Sequence, residues 1–313
     1  MRSQQIHRAQ PLVLFLSMTL IWGFTWPLYV VGLRSFTPFM LASVRNLIAV
    51  LVLLPLTRWQ RIKIPREPRT LLFLSMLGLF WIIIPYALVF WGIQFTTSGV
   101  AAVLNGTNPF FIALFAWVFF RTEQATLGKA LALFVGFLGV TMIFSDQLAS
   151  KGRYSTTLGD GAMVLSAASV GLAQVLAKRF GARINSLVLV AAMDLVGGIA
   201  LLGLSFLFDP RPQIAVSLEA FAVALYLGVL ASAFGFVAYT WLLKRIDAVR
   251  LSMVAFLVPV ISLFVGAIWL KERVTPSDIC GSALVLLGLA FMNFTTAGES
   301  RLKRFVSVWV KHE

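Results

Sequence analysis

The chain of 313 residues contains one cysteine and two histidines. Cys280 has no second cysteine to meet, so no disulfide forms within the chain. His7 and His312 lie in the polar ends, which leaves no histidine base and no His/Cys metal cluster in the body of the sequence. Charge is equally scarce. Charged residues make up 12% of the chain, against roughly 25% in soluble domains, and this deficit excludes an ordinary globular enzyme. No glycine-rich stretch runs into Gly-Lys-Ser/Thr, which excludes an ATP-binding loop of that type. No catalytic set, metal site or cofactor is expected.

What the chain has instead is apolar length. Hydrophobic residues reach 59%, in runs of about 20 broken by short basic stretches. A helix of that length crosses a hydrocarbon layer ~30 Å thick at ~1.5 Å per residue. Ten spans are predicted, over 12–32, 38–56, 70–91, 97–119, 126–145, 160–177, 186–208, 218–241, 248–270 and 277–297. The first is too long for a signal-peptide core and is expected to be retained. Lys and Arg divide 19 to 6 between alternate sides, with Arg45 inside a span. The positive-inside bias predicts both termini on the cytoplasmic side of the membrane. The net charge of +14 then faces anionic lipid rather than nucleic acid.

The two halves echo each other about 150 residues apart. Gly78, Trp91 and Pro109 align with Gly228, Trp241 and Pro259, and one residue closer Glu123 and Gly139 align with Glu272 and Gly288. The stretch Asn108 to Val140 echoes Val258 to Ala290. Five spans is an odd number, so the second copy enters the bilayer upside down. Inverted repeats of this kind build secondary transporters, with the solute site near the midplane between the halves. The expected fold is an all-α membrane protein of ten transmembrane helices in two inverted five-helix repeats. The boundaries are a 1–11 cytoplasmic tail, a 12–145 repeat, a 146–159 external linker, a 160–297 repeat and a 298–313 basic tail. That last tail is open between a short amphipathic helix on the headgroups and a disordered end.

Several motifs resemble one family. IWGFTWP (Ile21 to Pro27) is similar to its Trp-Gly opening. LASVRNLIAVLVLLPL places Arg45 and Pro55 in its second-helix pattern. NPFFIALFAWVFFRTE and VPVISLFVGAIWLKE resemble its proline, aliphatic run and glutamate, and GFLGV and SALVLLGLAF its closing helix. The chain thus resembles EamA-type members of the drug/metabolite transporter superfamily over nearly its whole length. It departs in the NGTNP of the first half, which is more polar than the FLVP of the second. The resemblance implies a transporter of small organic metabolites, with amino-acid export favoured.

Ionisable groups inside a membrane are costly and are functional suspects. Arg45 on span two and Asp194 on span seven are the two deep ones, on counterpart helices. Arg45 is read either as an anchor for a carboxylate or phosphate or as a structural partner of Asp194 or of freed carbonyls. Asp194 is read either as a proton-coupling carboxyl or as half of a fixed ion pair. Asn105 and Asn108 are further candidates, as amides that need partners in an apolar setting. Trp22, Trp26, Tyr86, Trp91, Tyr239 and Trp241 are candidate cavity aromatics, and Gln174 on span six joins them. Pro27, Pro85, Pro109 and Pro259 are candidate kinks or hinges that free carbonyls. Trp59, Trp81, Trp117, Trp269 and Trp309 are assigned to the interface belts. Asp146, Asp160, Glu123 and Glu272, at span ends, are given structural roles.

The leading expectation is a gradient-driven exporter working by alternating access on a small-molecule substrate in a lipid bilayer. The competing readings are an anion exchanger for phosphorylated solutes, an intramembrane lipid-modifying enzyme and a non-transporting scaffold. Substrate identity, direction of flux, proton coupling and oligomeric state stay open at this point.

Overall fold

The computed structural model describes residues 2–92, 95, 104–121, 123–143, 157–209, 217–269 and 275–309. Among them the regular elements are all helical. Helix α1 runs Arg2–Gly32 and α2 Pro38–Trp59. Helix α3 runs Pro68–Gly78, passes through a π-helical turn at Leu79–Ile83 and ends as Ile84–Gly92. Helix α4 comprises Asn108–Leu114 and a π-helical turn at Phe115–Phe119, and α5 is Leu127–Ile143. The second half follows with α6 (Thr157–Phe180) and α7 (Ser186–Phe208). Helix α8 runs Leu218–Leu225, Tyr226–Phe234 and Gly235–Leu243, the middle piece being π-helical. Helix α9 comprises Ala248–Ser252 and Val254–Trp269, and α10 spans Pro276–Trp309.

Six of these runs are long and apolar enough to cross a membrane: Gln10–Tyr29, Pro38–Trp59, Pro68–Val89, Thr157–Phe180, Ser186–Phe208 and Leu218–Leu243. Four apolar helices are shorter: Asn108–Phe119, Leu127–Met142, Ala248–Ser262 and Ile279–Met292. The expected 97–119 span is interrupted, because a turn at Gly106 and Thr107 precedes α4. Pro109 therefore sits at a helix start, where its missing N–H costs nothing, and not at a mid-helix kink. Helix α10 continues to Trp309 without the break expected at 297. The external linker falls mostly outside the described residues, as do Asp146 and Glu272.

The starts are locally encoded. Prolines open α2, α3 and α4. Asn185, Ser217 and Asp247 cap α7, α8 and α9 by accepting from Leu187, Ala220 and Arg250 amides. Large apolar side chains such as Leu51, Phe208 and Leu218 face outward, as lipid contact requires. The buried core lies where the halves meet, from Leu77 and Trp81 on α3 through Met193 on α7 and Tyr239 on α8 to Phe256 on α9.

The packing is reciprocal. Counterpart helices α2 and α7 lie antiparallel along their length. At one end the Asp209 carboxylate, just past α7, accepts from the Phe39 and Met40 amides at 3.4 and 3.2 Å and so caps α2. Nearer the middle Ser43 Oγ donates to the Gly198 carbonyl at 2.8 Å. Gly78 on α3 presses against Met193 and Val196 of α7, and its counterpart Gly228 on α8 presses against Arg45 and Ile48 of α2. Gly139 and Gly288 bring α5 and α10 together backbone to backbone. A Cβ at Gly139 would stand 2.6 Å from the Gly281 carbonyl, and one at Gly288 2.8 Å from the Gly136 amide nitrogen. The π-helical turns of α3 and α8 also fall at matching places, just after or around the paired Gly78 and Gly228.

Candidate functional site

Arg45 occupies the seam between the halves and is 3% exposed. Its Nε donates to Ser232 Oγ at 2.8 Å, and one Nη donates to the Tyr29 hydroxyl. The guanidinium also lies over three rings, with centroids at 5.6 Å for Tyr29, 5.7 Å for Tyr86 and 5.8 Å for Phe236. The Tyr29 and Tyr86 hydroxyls stand 3.3 Å apart. Tyr29 and Tyr86 come from the first repeat, Ser232 and Phe236 from the second. A guanidinium carries five N–H donors in a planar fork that suits a carboxylate, so the two bonds to Ser232 and Tyr29 leave donors over.

An aromatic wall continues from this group. Trp22 packs on Phe236 and Tyr239 at 5.8 and 5.6 Å, and Trp81 packs on the same two rings at 6.3 and 5.8 Å. The π-helical turns anchor the wall. A π-turn carries one extra residue, which re-aims carbonyls that then need partners. Trp22 Nε1 donates to the Ala231 carbonyl at 3.0 Å, and Ser169 Oγ to the Phe80 carbonyl at 2.7 Å. The Pro85 carbonyl accepts from Ser166 at 3.4 Å.

Of the sequence candidates, Arg45, Trp22, Tyr86 and Tyr239 come together here. Asp194 is fully buried nearby on α7 and makes no ion pair with Arg45; neither of its carboxylate oxygens has a hydrogen-bond partner among the described residues. Gln174 is buried on α6 with its Oε1 likewise unpartnered. Asn108 is spent on structure, because its Nδ2 donates to the Ala167 carbonyl at 2.9 Å and ties α4 to α6. Asn105 is half-buried in the segment before α4. Two aromatic candidates lie outside the group around Arg45. Trp91 is 44% exposed and packs on Phe95 at 5.0 Å. Trp241 sits at the basic end of α8 with the Arg245 guanidinium 3.5 Å over its ring. Pro27 and Pro85 lie within α1 and α3, while the side chains of Trp26 and Pro259 are outside the described set. Trp81 corrects the belt assignment, since it is buried in the wall; Trp59 is 81% exposed, as a belt residue should be.

Residues 10–145 and 157–294 each match the EamA-like transporter family. The chain belongs to that family. The uncharacterized transporter YoaV of Bacillus subtilis (strain 168) is 29% identical over 280 residues, which is 90% of this chain and 95% of its own. A probable terminal-alkyne amino-acid exporter of Streptantibioticus cattleyicolor is 29% identical over 220 residues, 67% of this chain and 69% of its own. A solved crystal structure with 18% identity shares the fold, with a TM-score of 0.80 over 92% of this chain and 97% of that one.

This EamA-like chain carries a second polar cluster, which ties the two repeats together at one end. Lys178 Nζ, at the end of α6, donates to Glu123 Oε1 and to the Ile246 carbonyl, at 2.7 and 2.6 Å. Glu123, just past α4, accepts from the Ala248 and Val249 amides of α9 at 2.5 and 3.3 Å. Lys129 on α5 is buried and pairs with Asp247 at 2.7 Å. Burial, then the neighbouring Asp247 carboxylate, push the Glu123 carboxyl up to about 7 against the opposing pull of Lys178. Against the cost of its own burial, hydrogen bonding from Glu123 and Lys129 brings Asp247 down to about 2. Lys244, which donates to the Ile184 carbonyl, is pulled down to about 8 by burial and by Arg245.

Sequence reasoning missed Tyr29, Ser232, Phe236 and Asn46. Ser232 is a small hydroxyl inside the apolar run of α8 and lies 187 residues from Arg45, so nothing local marked it.

Proposed function

We propose that this protein is a secondary transporter of the bacterial inner membrane that exports small organic solutes, amino acids foremost, by alternating access. Ten crossings in two inverted five-helix repeats, with both termini cytoplasmic, complete the reading. The antiparallel course of α2 and α7 supports the inversion. The observation that carries the proposal is Arg45 itself. It is a buried cation held between the two repeats under aromatic rings, with donors left for a carboxylate. Aromatic walls suit the apolar side of such a solute. The similarity to a named amino-acid exporter points the same way. A phosphorylated solute would call for several deep cations, and among the described residues the other buried cation, Lys129, is already paired with Asp247.

The test is counterflow of radiolabelled amino acids into proteoliposomes. Wild type is expected to exchange at least one of a panel of apolar and aromatic amino acids, and Arg45→Ala to lose that exchange tenfold or more. Wild-type flux no greater than in protein-free liposomes across the whole panel would refute the reading.

A further inference from the structure

Three acceptor atoms in the middle of the helices are buried without hydrogen-bond partners among the described residues and sit on facing helices: Asp194 Oδ1, Asp194 Oδ2 and Asn46 Oδ1. Both residues are 0% exposed. The Ser43–Gly198 bond fixes the register of α2 against α7. One turn onward along each helix, three residues on from Ser43 and four back from Gly198, lie Asn46 and Asp194. The helices are antiparallel, so both steps run in the same direction and bring the two side chains to one level. Gly198 faces Leu47, and Gly197 faces Ile82 on α3. Asp194, one turn back from both glycines, thus lies on the side of α7 that faces α2 and α3.

Among the described residues no donor stands within hydrogen-bond distance of these three atoms. The Asn46 amide nitrogen is committed to the Ala42 carbonyl at 2.7 Å, which leaves its oxygen as an acceptor. Arg45 is a residue away but reaches for Tyr29 and Ser232. Among the described residues the ionisable groups in the middle of the elements packed on α7 are Arg45 on α2, Tyr86 on α3, and Tyr226 and Tyr239 on α8, and Asp194 interacts electrostatically with Arg45 and Tyr86. The Tyr226 hydroxyl is spent on the Ile21 carbonyl. Buried polar atoms are nearly always satisfied, and an ionised carboxylate accepts only, whereas a protonated one donates through its O–H. A proton on Asp194 would make one of its oxygens a donor, and Asn46 Oδ1, at the same level on the facing helix, is an acceptor that lacks one.

We propose that Asp194 is a proton-binding site whose carboxyl donates to the amide oxygen of Asn46. The proton enters and leaves as the group gains and loses contact with water, and no covalent bond other than O–H is made or broken. Asn46 is a positioning residue. If the transporter reading above holds, this site is where a proton gradient couples to solute movement, but the binding itself is tested without flux.

The experiment is infrared spectroscopy of the purified protein in nanodiscs, comparing wild type with Asp194→Asn and Asn46→Ala between pH 5 and pH 9. Wild type is expected to show a protonated carboxyl C=O band that Asp194→Asn removes and that Asn46→Ala shifts to higher frequency as its hydrogen bond is lost. If Asp194→Asn does not fold, the Asn46→Ala shift alone assigns the band. No band sensitive to either substitution overturns the proposal. A wild-type melting temperature that rises with NaCl over equimolar choline chloride, with the rise absent in Asp194→Asn, also overturns it and makes the site one for sodium. In proteoliposomes, an imposed pH gradient is expected to change wild-type flux and not Asp194→Asn flux. Absence of flux in both refutes the transporter reading and leaves the infrared result standing.

Discussion

Arg45 and Asn46 are adjacent in the chain and serve different partners, because neighbouring residues on a helix point ~100° apart. Arg45 reaches α1 and α8, while Asn46 bonds within α2 to the Ala42 carbonyl, beside the Ser43 and Leu47 that meet Gly198 of α7. Replacing Ser232 with Ala leaves the buried Arg45 Nε without its acceptor, at a cost of about 1–3 kcal/mol. The variant is expected to melt lower than wild type in a detergent thermal scan, and an unchanged melting temperature would count against the bond. Arg45 was legible in the sequence because a charge in an apolar run stands out by itself. Its partners were not, since a hydroxyl such as Ser232 costs little in a helix and signals nothing until the fold brings it across 187 residues. The tryptophans misled for a related reason. Trp81 and Trp91 lie ten residues apart on one helix, and the one assigned to the lipid belt proved buried while the cavity candidate proved exposed. The direction of a helix face cannot be read where every face is apolar.

At the scale of elements, the Lys178–Glu123–α9 cluster and the Lys129–Asp247 pair clip the ends of α4, α5 and α6 to the loop before α9. Breaking a buried ion pair by removing one partner costs about 3–5 kcal/mol. Lys178 keeps some exposure, so Glu123→Ala is expected near the lower end, seen as a clear drop in melting temperature. The pH dependence follows from linkage. Glu123 is raised from 4.5 to about 7, so the native state holds its proton more tightly than the unfolded chain does. Its contribution is fully present below pH 4.5 and is lost as pH rises through about 7. Wild type should therefore melt higher at pH 5.5 than at pH 8, and Glu123→Gln should flatten that slope. Asp247 has the opposite sign and acts lower. Lowered from 3.8 to about 2, it stabilises above pH 3.8 and loses this as pH falls toward 2. A wild-type slope kept intact in Glu123→Gln would place the titration elsewhere.

At the scale of the molecule, the repeat was legible because paired glycines, tryptophans and prolines kept a common spacing through both halves. The structure adds the reason for two of those pairs. Gly78 and Gly228 let each repeat lay its third helix on the other's second, and Gly139 and Gly288 join the closing helices. The tryptophan pair has no shared environment, since Trp91 is exposed while Trp241 sits under Arg245. Helix breaks were less legible, because proline is silent about whether it kinks a helix or opens one. Gly288→Val adds side-chain carbons where backbone already stands within about 3 Å, and overpacking of this kind costs about 1–3 kcal/mol or more. The variant is expected to be less stable than wild type, or to fail to accumulate in the membrane. Accumulation and melting equal to wild type would contradict the close approach.

The contact between α5 and α10 has one further consequence. Side chains can change rotamer and let neighbouring helices slip, but main chain resting on main chain has no such slack. Whatever turning the two repeats undergo during a cycle, these two helices must keep their mutual register, as a door keeps to its post. A covalent staple placed along that line should therefore leave turnover running.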